Sequence, residues 1–275
     1  MQRNFRELLE AQWDEKKFLC IGLDTDIEKI PGHMRSIGAH ECITAFNRAI
    51  IDATKDVAGS YKPNSAFYEA HGDEGWSALC ETVEYIREQA PGVPVILDAK
   101  RGDIGNTNKG YIDAAFERMS ADAITVSPYM GGESLAPFLE LKDKGIIVLC
   151  RTSNPGAGEF QDMKVDGEPL YKAVARRVAG EWNGNGNCAV VVGATYPGEL
   201  SEVRAIVGDM PILIPGIGVQ GGDLEKTVHA GKDGRGRGMM IAASRAIIYA
   251  SSGPDFAEAA RAKAQELDGA IRNAL

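Results

Sequence analysis

The sequence predicts an α/β fold: a single (β/α)8 TIM barrel, eight parallel strands with outer helices, spanning residues 1–275 as one domain. Three observations point there. Eight short apolar runs alternate with longer amphipathic patterns from end to end. Most of the runs are apolar on successive residues, as parallel strands covered on both faces read. Every run ends in polar or glycine-rich residues, at the end where a barrel of this kind builds its site. An open, doubly wound sheet is the alternative. A Pro- or Ser-rich linker, a low-complexity tract and a composition break are all missing, so one domain is the simpler reading.

The elements follow in order. Phe5, Leu8, Leu9 and Trp13 form the apolar stripe of a short N-terminal helix. That segment carries Glu7, Glu10, Asp14 and Glu15 and has no apolar core, so it is not a secretion signal. The first strand, 18–23, ends in Asp24. The second, 60–62, is weak and ends in Lys62, before Pro63 and Asn64. The third, 93–97, runs into Asp98 and Lys100. The fourth, 123–126, ends in Ser127, and the fifth, 145–149, in Arg151, Thr152 and Ser153. The sixth, 188–192, leads to Thr195. The seventh, 211–214, opens into a glycine-rich loop, and the eighth, 239–242, ends in Ser244 and Arg245. Helices are expected over 41–57, 75–89, 109–120, 133–143, 170–182, 199–207, 224–230 and 255–274. Trp13, Trp76 and Trp182 fall in such patterns and read as packing residues.

Composition narrows the function. The chain is 44% hydrophobic and 25% charged, which is ordinary for a soluble globular protein. A net charge of −9 argues against nucleic acid and anionic membranes as partners. It leaves open an anionic small substrate, because a pocket can be locally positive. No apolar run approaches the ~18 residues that span a bilayer. The five cysteines include no Cys-x-x-Cys pair and read as buried thiols of a reducing, cytoplasmic compartment. The four histidines have no metal-ligand spacing, so no metal is expected.

The richest stretch is Val95-Ile-Leu-Asp-Ala-Lys-Arg-Gly-Asp-Ile-Gly-Asn-Thr107. Asp98 and Lys100 stand at i and i+2, which on a regular strand points both to one side. A cation between carboxylates at a strand end is costly to build for stability alone. With Asp24, Lys62 and Asp103 these residues form an alternating set of charges. The bland reading is a structural ion network at a barrel rim. Gly216-Ile-Gly-Val-Gln-Gly221 matches the dinucleotide pattern Gly-x-Gly-x-x-Gly, but it follows the seventh run instead of the first. The glycine-rich backbone here, with Gly216 and Gly218, and Arg245 after the next strand fit a barrel phosphate site better. The basic loop 231–238 reads as a solvated turn.

The pattern Asp98-x-Lys100-x-x-Asp103-Ile-x-x-Thr107 resembles the signature of the orotidine 5'-phosphate decarboxylase family. The resemblance runs through nearly the whole chain, and Tyr-Lys-Pro-Asn64 is similar to the longer branch of that family. It implies a cofactor-independent decarboxylation of orotidine 5'-phosphate to uridine 5'-phosphate, the last step of de novo UMP biosynthesis. It implies that Lys62, Asp98, Lys100 and Asp103 are catalytic and that Asp24 meets the ribose. It implies that Ser153 reads the pyrimidine edge, and that Gln220 and Arg245 contact phosphate. It also implies a homodimer in which Asp103 and Thr107 complete the partner's site.

Three rivals stand beside this. An aldolase using Lys100 as a Schiff base wants a lowered amine pKa, which flanking carboxylates oppose. A magnesium-dependent hexulose-phosphate synthase shares the barrel and an Asp-x-Lys-x-x-Asp pattern. A non-catalytic phosphosugar-binding barrel is the third.

Overall fold

The computed structural model describes residues 3–35, 38–217 and 223–275. Eight parallel strands form one sheet: β1 (Leu19–Leu23), β2 (Ser60–Pro63), β3 (Ile96–Arg101), β4 (Ala123–Val126), β5 (Gly145–Arg151), β6 (Cys188–Val192), β7 (Ile212–Pro215) and β8 (Met239–Ala243). Their order is β2-β1-β8-β7-β6-β5-β4-β3. Two parallel bridges, Tyr61–Val95 and Asn64–Asp98, bring β2 against β3, so the sheet curls round on itself as a (β/α)8 barrel. All eight runs expected from the sequence are strands, with ends displaced by up to four residues. Every residue of β1, β4, β6 and β8 is buried, because helices cover the outside and side chains fill the inside.

The N-terminal helix Phe5–Asp14 stoppers the barrel at the end opposite the strand C-termini. Phe5, Leu9 and Trp13 are buried, and the Trp13 indole donates to the Met239 carbonyl at the start of β8. Arg3 pairs with the buried Asp122, and Gln12 donates to the Gly92 carbonyl. The Phe5 ring lies over the first residue of β5. A Cβ at Gly145 would come within 2.2 Å of that ring. Gly145→Ala is therefore expected to lower stability by about 1–3 kcal/mol by overpacking. A urea titration reads this as a lower midpoint, with KM unchanged because the site lies at the other end.

The loop 231–238 departs from its reading as a solvated turn. Arg235 and Arg237 both reach Glu10, each at 3.2 Å, and Arg237 also reaches Asp14 at 2.5 Å. The basic residues answer the acidic face of the N-terminal helix, a complementarity between segments more than 200 residues apart. Two helices expected as continuous change pitch instead, to π-helix over Asp113–Arg118 and Val178–Trp182. After β5 a small antiparallel hairpin pairs Lys164–Val165 with Glu168–Pro169. Its turn, Asp166-Gly167, has φ of 53° and 86°, the backbone that Asp-Gly favours in tight hairpins. Two-residue strands are too short for apolar periodicity to reveal.

Candidate active site

The charged strand ends meet at the C-terminal mouth of the barrel. Lys62 Nζ donates to Asp98 Oδ2 at 2.9 Å, and Lys100 Nζ donates to Asp98 Oδ1 at 2.6 Å. Asp24 Oδ1 lies 3.9 Å from Lys62 Nζ. The result is a chain of alternating charge, Asp24, Lys62, Asp98, Lys100, drawn from β1, β2 and β3. Lys62 and Asp98 are buried, whereas the Lys100 side chain is 48% exposed.

Burial works to raise the Asp98 pKa, but the Lys62 and Lys100 ammoniums outweigh it and hold the carboxyl well below the ordinary carboxylate range. Burial likewise works to lower Lys62, and the Asp98 and Asp24 carboxylates outweigh it, holding the ammonium above the ordinary lysine range. Burial pushes the neighbouring Cys20 thiol up to about 11, so it stays neutral and is no nucleophile.

Asp98 and Lys100 come together for a different reason from simple alternation. The pairing of β3 with β4 runs Ile96↔Ala123 and Leu97↔Ile124, then jumps to Arg101↔Val126. Asp98, Ala99 and Lys100 thus bulge opposite Thr125 alone. Lys100 has φ of 48°, a left-handed backbone that is uncommon for a residue with a side chain. A bulge re-aims side chains, and here it turns Lys100 back over Asp98. Thr125 spans the gap: its hydroxyl donates to Asp98 Oδ1 at 2.9 Å and accepts from the Lys100 backbone N–H at 2.9 Å.

A cavity of about 140 Å³ lies beside this chain of charge, lined by Asp24, Lys62, Ser153, Gly216, Ser244 and Arg245 among others. Its walls depend on small residues. A Cβ at Gly22 would come within 2.6 Å of Ser244, and one at Gly193 within 2.7 Å of Ser153. Gly216 has φ of 109°, which a residue with a Cβ rarely adopts. Two buried oxygens here, Asp24 Oδ1 and Ser244 Oγ, have no hydrogen-bond partner, the expected state of groups that await a polar ligand.

Of the residues singled out from sequence, Asp24, Lys62, Asp98 and Lys100 gather in the charge chain. Ser153, Gly216 and Arg245 line the adjoining cavity. Gly218 and Gln220 lie outside the described residues. Asp103 and Thr107 do not join the chain of charge. The Asp103 carboxylate accepts from the Ile104 backbone N–H, and Thr107 is exposed in the helix Gly105–Ile112. Ser127 lines a different cavity, and Thr195 is exposed.

A supporting layer escaped sequence reading. Tyr249 donates to the Asp24 carbonyl and accepts from the Asp26 N–H; Tyr68 donates to the Leu23 carbonyl and accepts from Asn47. These bonds fix the backbone on either side of Asp24. Tyr68 and Tyr249 fall between the expected helices, in stretches with no motif, so no local signal marks them.

Comparison with known proteins agrees with this geometry. Residues 17–262 match the model of the "Orotidine 5'-phosphate decarboxylase / HUMPS family". An orotidine 5'-phosphate decarboxylase of Janthinobacterium sp. (strain Marseille) is 53% identical over 269 residues, 97% of each chain. One of Cellvibrio japonicus is 50% identical over 265 residues, 96% of each chain. Among solved structures, Leishmania donovani OMP decarboxylase superposes with a TM-score of 0.86 at 39% identity, covering 98% of both chains.

Proposed function

The chain belongs to the orotidine 5'-phosphate decarboxylase / HUMPS family, and we propose that its Lys62–Asp98–Lys100 chain of charge carries the family's chemistry. The enzyme is a carboxy-lyase that converts orotidine 5'-phosphate to uridine 5'-phosphate and carbon dioxide in pyrimidine biosynthesis. The relatives named above are decarboxylases, which disfavours the hexulose-phosphate synthase alternative.

Loss of the carboxylate leaves an electron pair at C6 of the ring, where no carbonyl or imine can absorb it. Many decarboxylases use a cofactor as the electron sink; this reading needs none. The protein stabilises the developing charge electrostatically, with charged groups already in place. Asp98, held ionised by its two lysines, faces the substrate carboxylate and raises its energy. Two like charges ~4 Å apart at an effective dielectric of ~20 interact by about 4 kcal/mol, or roughly three decades of rate. The larger share falls to Lys100. Its ammonium neutralises charge growing at C6 and delivers the proton there. Lys62 keeps Asp98 ionised. Asp24 binds the ribose and Ser153 the pyrimidine edge. Gly216, Gly218, Gln220 and Arg245 hold the phosphate. The observation that carries this reading is the 2.6 Å contact between an exposed ammonium and a buried carboxylate at the barrel mouth. Disappearance of the orotidine chromophore on adding the protein tests it.

The working unit in this reading is a homodimer, with Asp103 and Thr107 supplied to the partner's site. Two features support it. Among the described residues the Asp103 carboxylate accepts from the Ile104 backbone N–H and forms no ion pair with Lys100 of its own chain. Large apolar side chains stand exposed on the loops after β3 and β4: Ile104, Met130 and Tyr129, the last 90% exposed. Mixing inactive Asp103→Ala and Lys100→Ala chains is expected to restore about a quarter of wild-type activity, since half the dimers then carry one intact site of two. An inactive mixture with proven heterodimers overturns shared sites. The five free cysteines, four of them buried, support a cytoplasmic enzyme, and among the described residues no helix is long and apolar enough to cross a membrane.

A further inference from the structure

We propose that Thr125 is a positioning residue for the decarboxylation, one whose hydroxyl splices the bulge in β3 and so sets Lys100 against Asp98. This rests on the reading that Asp98 and Lys100 carry the chemistry.

The bulge creates the need. Three residues of β3, Asp98 to Lys100, stand opposite one residue of β4, so the Lys100 amide has lost its regular ladder position. Lys100 is also held in the left-handed region at φ 48°, which persists only where surroundings over-determine it. Thr125 is the one residue of β4 facing that gap, and it is 1% exposed.

The hydrogen bonding leaves no freedom in how the hydroxyl is used. The Lys100 amide can only donate, and the ionised Asp98 carboxylate can only accept. The Thr125 proton must therefore point at Asp98 Oδ1, and its lone pair at the Lys100 N–H. One side chain fixes the backbone that aims the ammonium and the carboxylate that opposes the substrate. The same oxygen of Asp98 receives Lys100 Nζ, so the three groups close a small ring. A β-branched side chain in a strand has few rotamers, which makes Thr125 a stiff brace. Thr125 touches no reacting atom in this account; it acts through its two neighbours.

The test compares Thr125→Val, which keeps shape and deletes the hydroxyl, with Thr125→Ser, which keeps the hydroxyl. Both are made in the full-length enzyme and assayed with orotidine 5'-phosphate, with Lys100→Ala as reference. Loss of a hydrogen bond to a charged group predicts that Thr125→Val lowers kcat about 10- to 100-fold. KM should change less than about threefold, since binding groups are untouched. Thr125→Ser should retain kcat within about threefold of wild type. Near-normal kcat in Thr125→Val overturns the proposal. So does an equal loss in Thr125→Ser, which would make the methyl's packing the cause. If Thr125→Val fails to fold, the serine variant decides alone: retained kcat supports the brace and a large loss refutes it. If Lys100→Ala itself keeps normal turnover, the reading of the site has failed, and not only the role of Thr125.

Discussion

Lys100→Ala is expected to lower kcat by about 10⁴-fold or more, combining the loss of a positioned proton donor with the loss of a charge aimed at the reacting carbon. The fold should survive. The Lys100 side chain is 48% exposed, and Asp98 keeps Lys62 and Thr125 as partners when it is gone. Thermal unfolding should therefore shift by only a few degrees, about what an exposed pair contributes. Product binding should persist, because Arg245, Ser153 and Asp24 line the cavity independently of Lys100. Single-turnover kinetics and uridine 5'-phosphate titration check both halves. A variant with near-normal turnover removes Lys100 from the mechanism. One that binds no product shows that the lysine organises the pocket instead.

Lys62→Met should be the most damaging single change to stability. It leaves the buried Asp98 carboxylate without its deepest partner and Asp24 without its nearest ammonium. Breaking a buried pair by removing one member costs about 3–5 kcal/mol. At roughly 2–4 °C per kcal/mol for a chain of this size, the melting temperature should fall by about 6–20 °C. The pH dependence has a definite sign. In the wild type Asp98 is depressed, so its contribution is present above the unfolded carboxylate value and is lost as pH falls through the folded one. Lys62 is raised, so its contribution is present below the unfolded lysine value and is lost as pH rises through the folded one. Across the neutral range both are intact. In the variant burial acts on Asp98 with less opposition, so its ionised form is penalised at neutral pH and relieved by protonation. The gap in melting temperature between wild type and variant should narrow as pH is lowered toward ~4. A constant gap from pH 7 to pH 4 would tie the loss to packing instead of charge.

The barrel was readable because its strands are covered on both faces and therefore apolar on consecutive residues. β1, β6 and β8 announce themselves in that way. β2 was faint because Ser60 and Lys62 dilute the pattern at the place where the site needs a charge. Asp98 and Lys100 were found by chemistry, through a geometric argument that the bulge replaces. Nothing in Asp-Ala-Lys marks a bulge, since no glycine sits at the left-handed position. Thr125 was invisible for a related reason: inside an apolar run it reads as one more β-branched core residue. The braces on Asp24 come from Asn47, Tyr68 and Tyr249, scattered over 200 residues, and only tertiary structure joins them. The glycines that clear space for Ser153 and Ser244 follow the same rule, because each is defined by the neighbour it avoids.

In the proposed mechanism an ammonium locked against a buried acid stabilises a ring carbanion without a helper molecule. The direct measurement is the absorbance of orotidine 5'-phosphate after adding dialysed enzyme in excess chelator. Steady loss of the substrate chromophore, at the rate seen without chelator, is expected for the wild type and none for Lys100→Ala. A rate that collapses in chelator, or substrate that stays unchanged with the wild type, contradicts that mechanism.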